Sequence, residues 1–131
     1  MVTVSGKRKT AIARATIEKG KGKVRVNNQP LDIYTPELYR LKMMEPLLIA
    51  TDLAKKVDLQ VTVNGGGMSS QADAVRVAIA NALVEFSKDE KLEEEFLDYD
   101  RNMLVADIRR KESRKPNRHG QARAKTQKSY R

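Results

Sequence analysis

Residues 10–18 read TAIARATIE, in which small apolar side chains recur at every second position. Successive side chains of a β-strand point to opposite faces of a sheet, so this period of two predicts a strand. The row expected to face the core is Ala11, Ala13, Ala15 and Ile17. Arg14, between two of them, is expected to point away from the core.

The neighbouring residues predict three more strands. Two glycines in KGKGK, residues 19–23, separate the first strand from a short one at residues 23–27, which predicts a hairpin. Residues 58–67 return to period two and predict a strand that ends in three glycines. A last strand is predicted at residues 103–110.

Helical patterns lie between these strands. A Thr35 cap predicts the start of one helix, and a second helix is expected near Pro46. The most regular helix is predicted after the glycines, capped by Ser69 or Ser70, and an acidic helix is predicted at residues 87–96. The apolar residues of the regular helix follow a 3.6-residue spacing: Ala72, Val75, Ile79, Ala82, Leu83 and Phe86.

Positive charge is concentrated at the two ends of the chain. Residues 1–25 hold eight Lys or Arg against one acid, residues 26–108 hold eight against fifteen acids, and residues 109–131 hold ten against Glu112 alone. Two cationic segments flanking an acidic middle favour a phosphate polymer as partner, because binding releases counterions. An acidic protein or an anionic membrane is the alternative partner.

Length and composition limit the class of protein. The 131 residues suffice for one domain, which we divide into a globular RNA-binding body at residues 1–110 and an extended basic tail at residues 111–131. The chain has no cysteine, so a disulfide framework or thiolate metal site is not expected. It contains no apolar run of transmembrane length and no signal-peptide pattern, so a soluble intracellular protein is expected.

The glycine run in NGGGMSSQADA, residues 64–74, allows three interpretations. It could be a strand-to-helix turn that needs small residues, a set of backbone amides that contact an RNA phosphate, or a nucleotide loop. A Walker A loop is not indicated, because no Gly-Lys-Ser/Thr follows.

Two other groups could suggest catalysis. His119 is the only histidine and lies in the basic tail without a nearby carboxylate, so a solvated or base-stacked side chain is favoured over a catalytic or metal-binding one. A group of acids could suggest a two-metal nuclease site, but consecutive residues point to different sides of a helix, which favours a solvated face. These acids are Glu93, Glu94, Glu95, Asp98 and Asp100.

The tail mixes forked cations with amide, imidazole and phenol groups, which suit phosphate contacts, base edges and stacking in RNA. Fully extended, residues 116–131 would reach roughly 50 Å at about 3.3 Å per residue.

Several motifs stand in one order along the chain: GKRKTAIARATI, VRVNNQPL, VNGGGMSSQADAVRVAIANAL, DIRRKESRKPNRHGQARAK and a terminal SYR. Together they resemble the ribosomal protein S-nine family of the small subunit, from about Gly6 to Arg131. The SYR ending and short N-terminus resemble the archaeal and eukaryotic branch, and more closely the archaeal one.

The resemblance implies a fold. It is an α+β two-layer sandwich of the kind found in the second domain of ribosomal protein S-five, in which helices cover a sheet and an extended basic tail follows. One β-α-β crossover is implied to be left-handed, against the general preference for right-handed crossovers.

The resemblance also implies a function: a structural protein without catalytic activity or cofactor, located in the cytoplasmic ribosome. Its partners would be ribosomal RNA, neighbouring proteins of the subunit head and the peptidyl-site tRNA, which Tyr130 and Arg131 would contact. Tyr130 stands where the bacterial branch has lysine. Counting the glycine amides, the predicted ribosomal RNA contacts are Lys7, Arg8, Lys9, Arg14, Gly65, Gly66, Gly67, Arg109, Arg110, Lys111, Arg114, Lys115, Arg118, Arg123, Lys125 and Lys128.

Two rival functions stay open from the residues alone. An RNA-processing enzyme on the same fold would need converging acids or a placed base. A general nucleic-acid compaction protein would bind duplex DNA as well as structured RNA, whereas a fitted ribosomal protein would prefer RNA.

Overall fold

A five-stranded sheet forms the centre of the protein, with strands in the order β1-β2-β5-β3-β4. The computed structural model describes residues 1–123 and 129. The strands are β1 (Val2–Arg8), β2 (Ala11–Lys19), β3 (Val24–Val26), β4 (Gln29–Pro30) and β5 (Val57–Asn64). The helices are α1 (Glu37–Ile49), α2 (Thr51–Ala54), α3 (Met68–Ser87) and α4 (Glu90–Tyr99), with short 3-10 turns at Leu31–Ile33 and Arg101–Met103.

The strand β2 confirms the prediction from TAIARATIE. Its four small apolar side chains are fully buried, and Arg14 is exposed on the opposite face. The strand pairs antiparallel with β1 on one side and β5 on the other. The third predicted strand is also confirmed, because β5 shows the same alternation of buried and open positions.

The predicted hairpin between β2 and β3 is wrong. β5 lies between them in the sheet, and β3 runs parallel to it, with Val24 opposite Leu59. Asp58 at the start of β5 fixes the connecting loop, since its carboxylate accepts hydrogen bonds from the amides of Lys21 and Lys23 at 2.8 Å. The Lys23 amide is the main cause of the lowered pKa of Asp58. The two glycines therefore lie in a loop that crosses the end of β5, where their amides donate hydrogen bonds to the carbonyl oxygens of Lys56 and Val57.

The chain passes from β3 to the parallel strand β5 through α1 and α2, which makes a β-α-β unit. The mixed α+β architecture of the sequence prediction is thereby confirmed. The left-handed sense of the crossover, the S-five-like classification and the division of the chain at residue 110 stay predictions of the sequence.

The strand β1 has no counterpart in the sequence prediction. Its apolar pattern is interrupted at Gly6, which has no side chain to continue the alternation, yet Gly6 is buried against α3. A Cβ at Gly6 would lie 2.3 Å from the carbonyl oxygen of Ala74 and 2.6 Å from the amide nitrogen of Ala78. The missing side chain is thus what lets β1 approach the helix.

The helix α3 is the main element that packs on the sheet, where it lies against β1 and β2, and α1 packs against α3 in turn. The predicted 3.6-residue spacing is confirmed, because every apolar member of the predicted row is fully buried except Phe86, which is half-buried. In α4, Leu92 and Phe96 are buried, and the acids between them face solvent.

Helix ends differ from the prediction at several places. Pro36, not Thr35, precedes α1, and no side chain caps that helix. Pro46 lies inside α1, and the next helix begins only at Thr51. Gly67 precedes α3, so neither predicted serine caps it.

The predicted strand at residues 103–110 is wrong. Residues 101–103 form a 3-10 turn, and residues 106–115 have neither helix nor strand. They pair with none of the five strands, and the described part of the chain has no further strand beyond β1 at the end of the sheet. Among the residues that the structure describes, no helix combines the length and the apolar character needed to cross a membrane.

We predict that Gly6→Ala lowers the free energy of unfolding by about 1–3 kcal/mol, because the added methyl group would overlap backbone atoms of α3. Urea denaturation followed by circular dichroism measures the change. Ser5→Ala, at an exposed position of the same strand, is the control and should change stability by less than about 0.5 kcal/mol. Equal stability of the two variants would contradict the close contact.

Candidate nucleic-acid interface

The turn between β1 and β2 and the glycine run after β5 lie against each other. Gly65 has φ +78°, and a Cβ there would lie 2.6 Å from the carbonyl oxygen of Thr10. Gly66 has φ +67°, and a Cβ there would lie 3.2 Å from the Cβ of Ala11. These two glycines are used in close packing, as expected for a strand-to-helix turn. The contact places the turn that contains Lys9 and Thr10 beside the glycine run that precedes α3.

Gly67 differs from the other two glycines. It has an extended backbone with φ −101°, and nothing lies within 4 Å of a Cβ built on it. It precedes α3, and no side chain accepts a hydrogen bond from the first amides of the helix. Of the three predicted glycine contacts, Gly67 is therefore the one whose surroundings leave space for a phosphate.

The outer face of the sheet is open to solvent and carries two of the predicted RNA-binding cations. Lys7 and Arg14 are exposed on this face, where Arg14 lies between Ser5 of β1 and Thr62 of β5. Ile12, opposite Lys7 in the register, is 47% exposed. This surface therefore presents cations that can contact phosphates, hydroxyl groups that can contact ribose hydroxyls, and an apolar side chain that can contact bases.

Charge on this open face is divided along the strands. Lys7 and Arg14 lie toward the end where the glycine turn lies, and the acids Glu18 and Asp58 pair with each other in register at the other end. Among the described residues, no salt bridge involves Lys7, Lys9 or Arg14. These cations are thus available to an anionic partner. We call this group of three the open-face cations.

Arg8 is placed differently, although it lies between two of the open-face cations in sequence. It is on the inner side of β1, its side chain is 17% exposed, and its Nη1 lies 3.1 Å from the carboxylate of Asp107. Its Nε lies 3.6 Å from the carboxylate of Asp73 in α3. The structure therefore gives Arg8 two intramolecular carboxylates.

The segment that leads into the tail is held to the body at further points. Arg76 of α3 donates a hydrogen bond of 2.8 Å to Asp100 and also pairs with Glu45 of α1. Asn81 donates to the carbonyl oxygen of Leu104 at 3.3 Å. Burial raises the pKa of Asp100, but hydrogen bonds from Arg76 and from the Asn102 amide outweigh it, so the net shift is downward.

Asp107 is the carboxylate that joins this segment to Arg8 by an ion pair. The side chain of Arg109 donates hydrogen bonds of 2.8–3.2 Å to it, and the Arg109 amide donates another at 2.9 Å. Mainly because of the Arg109 side chain, the pKa of Asp107 falls to about 2. Asp107 is therefore ionised at the pH of a cell and can pair with Arg8 there.

The first tail residues are open to solvent. Arg110, Lys111, Arg114 and Lys115 are exposed and take part in no salt bridge within the described residues. A turn follows, because the amide of Gln121 donates to the carbonyl oxygen of Arg118 at 2.9 Å.

Two predicted contacts lie in or beside this turn. Arg118 is half-buried, and Arg123 pairs with Glu112, which lowers the pKa of that carboxyl. Four predicted contacts lie outside the described residues: Lys125, Lys128, Tyr130 and Arg131.

The groups considered for catalysis are not brought together. His119 is exposed in the turn, and the consecutive glutamates of α4 all face solvent. Asp100 is engaged by Arg76. In residues 1–123 and 129, no three His, Cys, Asp or Glu side chains form a group that could hold a metal ion.

Sequence reasoning missed the acids that position this surface, Asp73, Asp107 and Asp58. Asp73 and Asp107 both face Arg8, which is far from each of them in sequence, so no local spacing predicts these two pairs. Only recognising β1 as a strand would have shown that Arg8 and Lys7 point to opposite faces.

We predict that the pKa of Asp107, measured by the pH dependence of its carboxyl carbon signal in NMR, lies near 2. Arg109→Ala should raise it toward its ordinary 3.8, because it removes the largest cause of the lowering. Because the pKa of Asp107 is lowered in the folded protein, its ionised carboxylate stabilises the native state above about pH 4. This contribution is lost as the pH falls through about 2.

Arg110→Ala is the matched control for this titration, since Arg110 is exposed and does not pair with Asp107. The same upward shift in both variants would contradict the assignment of the lowering to Arg109.

Comparison with known proteins bears on the whole chain. The family described as "Ribosomal protein S9/S16" matches residues 6–131. The chain is 53% identical over 131 residues to small ribosomal subunit protein uS9 of Methanothrix thermoacetophila, covering 100% of this chain and 98% of the relative. It is 55% identical over 126 residues to the protein of the same name from Picrophilus torridus, covering 96% and 94%. Both organisms are archaea, in agreement with the predicted branch. The chain therefore belongs to the ribosomal protein S9/S16 family.

Proposed function

We propose that this chain is a structural RNA-binding protein of the small ribosomal subunit, located in the cytoplasmic ribosome. Its membership of the family carries the proposal, together with relatives named as small ribosomal subunit proteins over nearly their full length. Proteins of this family are structural constituents of the ribosome and not enzymes, so the alternative of an RNA-processing enzyme is set aside.

Ribosomal RNA is the main partner in this proposal, and two groups of cations would contact it. One is the open-face cations Lys7, Lys9 and Arg14, with the free amides at Gly67 beside them. The other is the exposed cations of the first tail residues. Phosphate contacts of this kind fix the position of the protein and add affinity through counterion release.

The C-terminal end would extend beyond the body to the peptidyl-site tRNA, and neighbouring proteins of the subunit head would contact the rest of the surface. The predicted tRNA contacts are Tyr130 and Arg131. An arginine can donate two parallel hydrogen bonds to a phosphate, and a tyrosine ring can stack on a base.

Sedimentation of the tagged protein from a lysate of its own cells through a high-salt gradient tests the assignment to the small subunit. The full chain should sediment with the small subunit, and a chain that ends at Arg110 should dissociate at lower salt. A full chain that runs near its own mass would overturn the proposal. Equal affinity for duplex DNA and structured RNA would instead favour a compaction protein.

We predict that removing residues 114–131 weakens binding to purified small-subunit RNA in a salt-dependent way. If about five tail cations meet phosphates, the slope of log K against log salt should decrease in magnitude by roughly 3 to 5. Filter binding at several salt concentrations measures it.

Arg101→Gln removes one exposed cation outside the two proposed groups, so it is the control and should leave the salt slope unchanged. A truncated chain with the slope of the full chain would show that the tail does not contact phosphates.

We predict that deleting Tyr130 and Arg131 leaves subunit assembly intact but weakens tRNA binding at the peptidyl site or reading-frame maintenance. Purified subunits with the shortened protein are compared with the wild type for tRNA affinity and frameshifting. Arg131→Lys keeps the terminal charge and should retain more affinity than the deletion. Unchanged affinity and frame maintenance after the deletion would refute the tRNA contact.

A further inference from the structure

We propose that Arg8 is a positioning residue and not a phosphate contact: it fixes the tail root, residues 104–110, against the body beside the open-face cations. The inference rests on the proposed RNA-binding function and changes the role of one residue that the sequence assigns to RNA. It is carried by the contacts of Arg8 with Asp73 and Asp107.

Arg8 is more buried than its neighbours in sequence. Lys7 and Lys9 are exposed, whereas the Arg8 side chain is 17% exposed and its Nη1 is buried. Nη1 has no aligned hydrogen bond, although it lies 3.1 Å from the Asp107 carboxylate, so the contact is an ion pair. A phosphate could reach this nitrogen only after displacing the tail root.

The ion pair occupies the middle of a row of alternating charges. Lys42 of α1 pairs with Asp73, Asp73 faces Arg8, Arg8 faces Asp107, and Asp107 pairs with Arg109. Without Arg8, two carboxylates from different elements would lose the cation between them. Asp73 would keep Lys42 and Asp107 would keep Arg109, but no cation would attract both carboxylates, so the tail root should move away from the body.

The position of this row gives it a role in RNA binding. Arg8 is one residue from Lys7 and Lys9, and Asp107 is two and three residues from Arg109 and Arg110. The pair thus brings the basic N-terminal segment and the first tail cations, which are 100 residues apart in sequence, to one side of the molecule. The other contacts that hold this part of the chain, Asn81 with Leu104 and Arg76 with Asp100, lie before Asp107 and do not fix the residues that follow it.

A fixed tail root should raise RNA affinity without adding a phosphate contact. When two binding segments are held together, the second binds at a high effective concentration, and less conformational freedom is lost on binding. The two ends also carry net charges of the same sign, so an attractive pair offsets part of their repulsion.

A double-mutant cycle on the full-length protein tests the inference, with purified small-subunit RNA as the probe and filter binding over a range of salt as the assay. The variants are Arg8→Gln, Asp107→Asn and the double variant, and Lys7→Gln serves as the phosphate-contact reference. Asp98→Asn, an exposed acid of α4, is the control for a lost negative charge.

The sign of the Asp107→Asn effect separates the two roles. Removing an acid near bound RNA should strengthen binding, whereas removing the partner of Arg8 should weaken it, by about tenfold on the effective-concentration argument. We expect weaker binding for each single variant, no further loss in the double variant, and an unchanged salt slope. Lys7→Gln should instead decrease the magnitude of the slope by about 0.9 or less.

Hydrogen exchange of the free protein gives a readout that does not depend on RNA. Exchange at the Arg109 amide, which donates its hydrogen bond to Asp107, should increase in Arg8→Gln and not in Lys7→Gln. Unchanged exchange, stronger RNA binding by Asp107→Asn, or additive losses in the double variant would each overturn the positioning role.

Failure of the proposed function would give a different result. The wild-type protein would not bind small-subunit RNA, but hydrogen exchange at the tail root would still depend on the Arg8–Asp107 ion pair. Should Arg8→Gln fail to fold, Asp107→Asn still carries the test, since Asp107 lies outside every helix and strand.

Discussion

The close contact between β1 and α3 determines where the functional groups of this protein lie. Gly6 has no room for a Cβ against the backbone of α3. The close approach of β1 to α3 at this residue sets the direction of the remaining side chains of the strand. Side chains of a strand alternate between faces, so the contact sends Lys7 to the open face and Arg8 toward α3 and the tail root. Two adjacent cations thereby acquire opposite surroundings.

Charge is distributed differently on the two sides of the sheet. Helices α1 and α3 lie on one side of the sheet, and two of their acids are engaged by arginine and lysine from other elements: Asp73 by Arg8 and Lys42, and Glu45 by Arg76. The open face of the sheet instead has cations without carboxylate partners at the end near the glycine turn. A phosphate polymer would meet the cations there and be repelled from the acidic α4, so the proposed RNA partner would have a preferred side.

Much of this fold could be predicted, and the failures have identifiable causes. The strands β2 and β5 and the helix α3 were recognised because each buries a regular row of apolar side chains. β1 was missed because a glycine that serves packing also breaks the pattern of the strand. The hairpin between β2 and β3 was wrong because β5 inserts between them, and strand order in a sheet is a long-range property that no short window of sequence contains.

Three properties can be predicted from the sequence alone: the family, from motifs in a fixed order, the excess of cations at both ends, and the elements of regular periodicity. These are local or additive properties, so they can be read without coordinates. Which of the described cations are free and which are engaged in ion pairs depends on how the elements pack. Whether Arg8 meets a phosphate or an aspartate depends on Asp73 and Asp107, which are 65 and 99 residues away along the chain and become its neighbours only when β1, α3 and the tail root pack together.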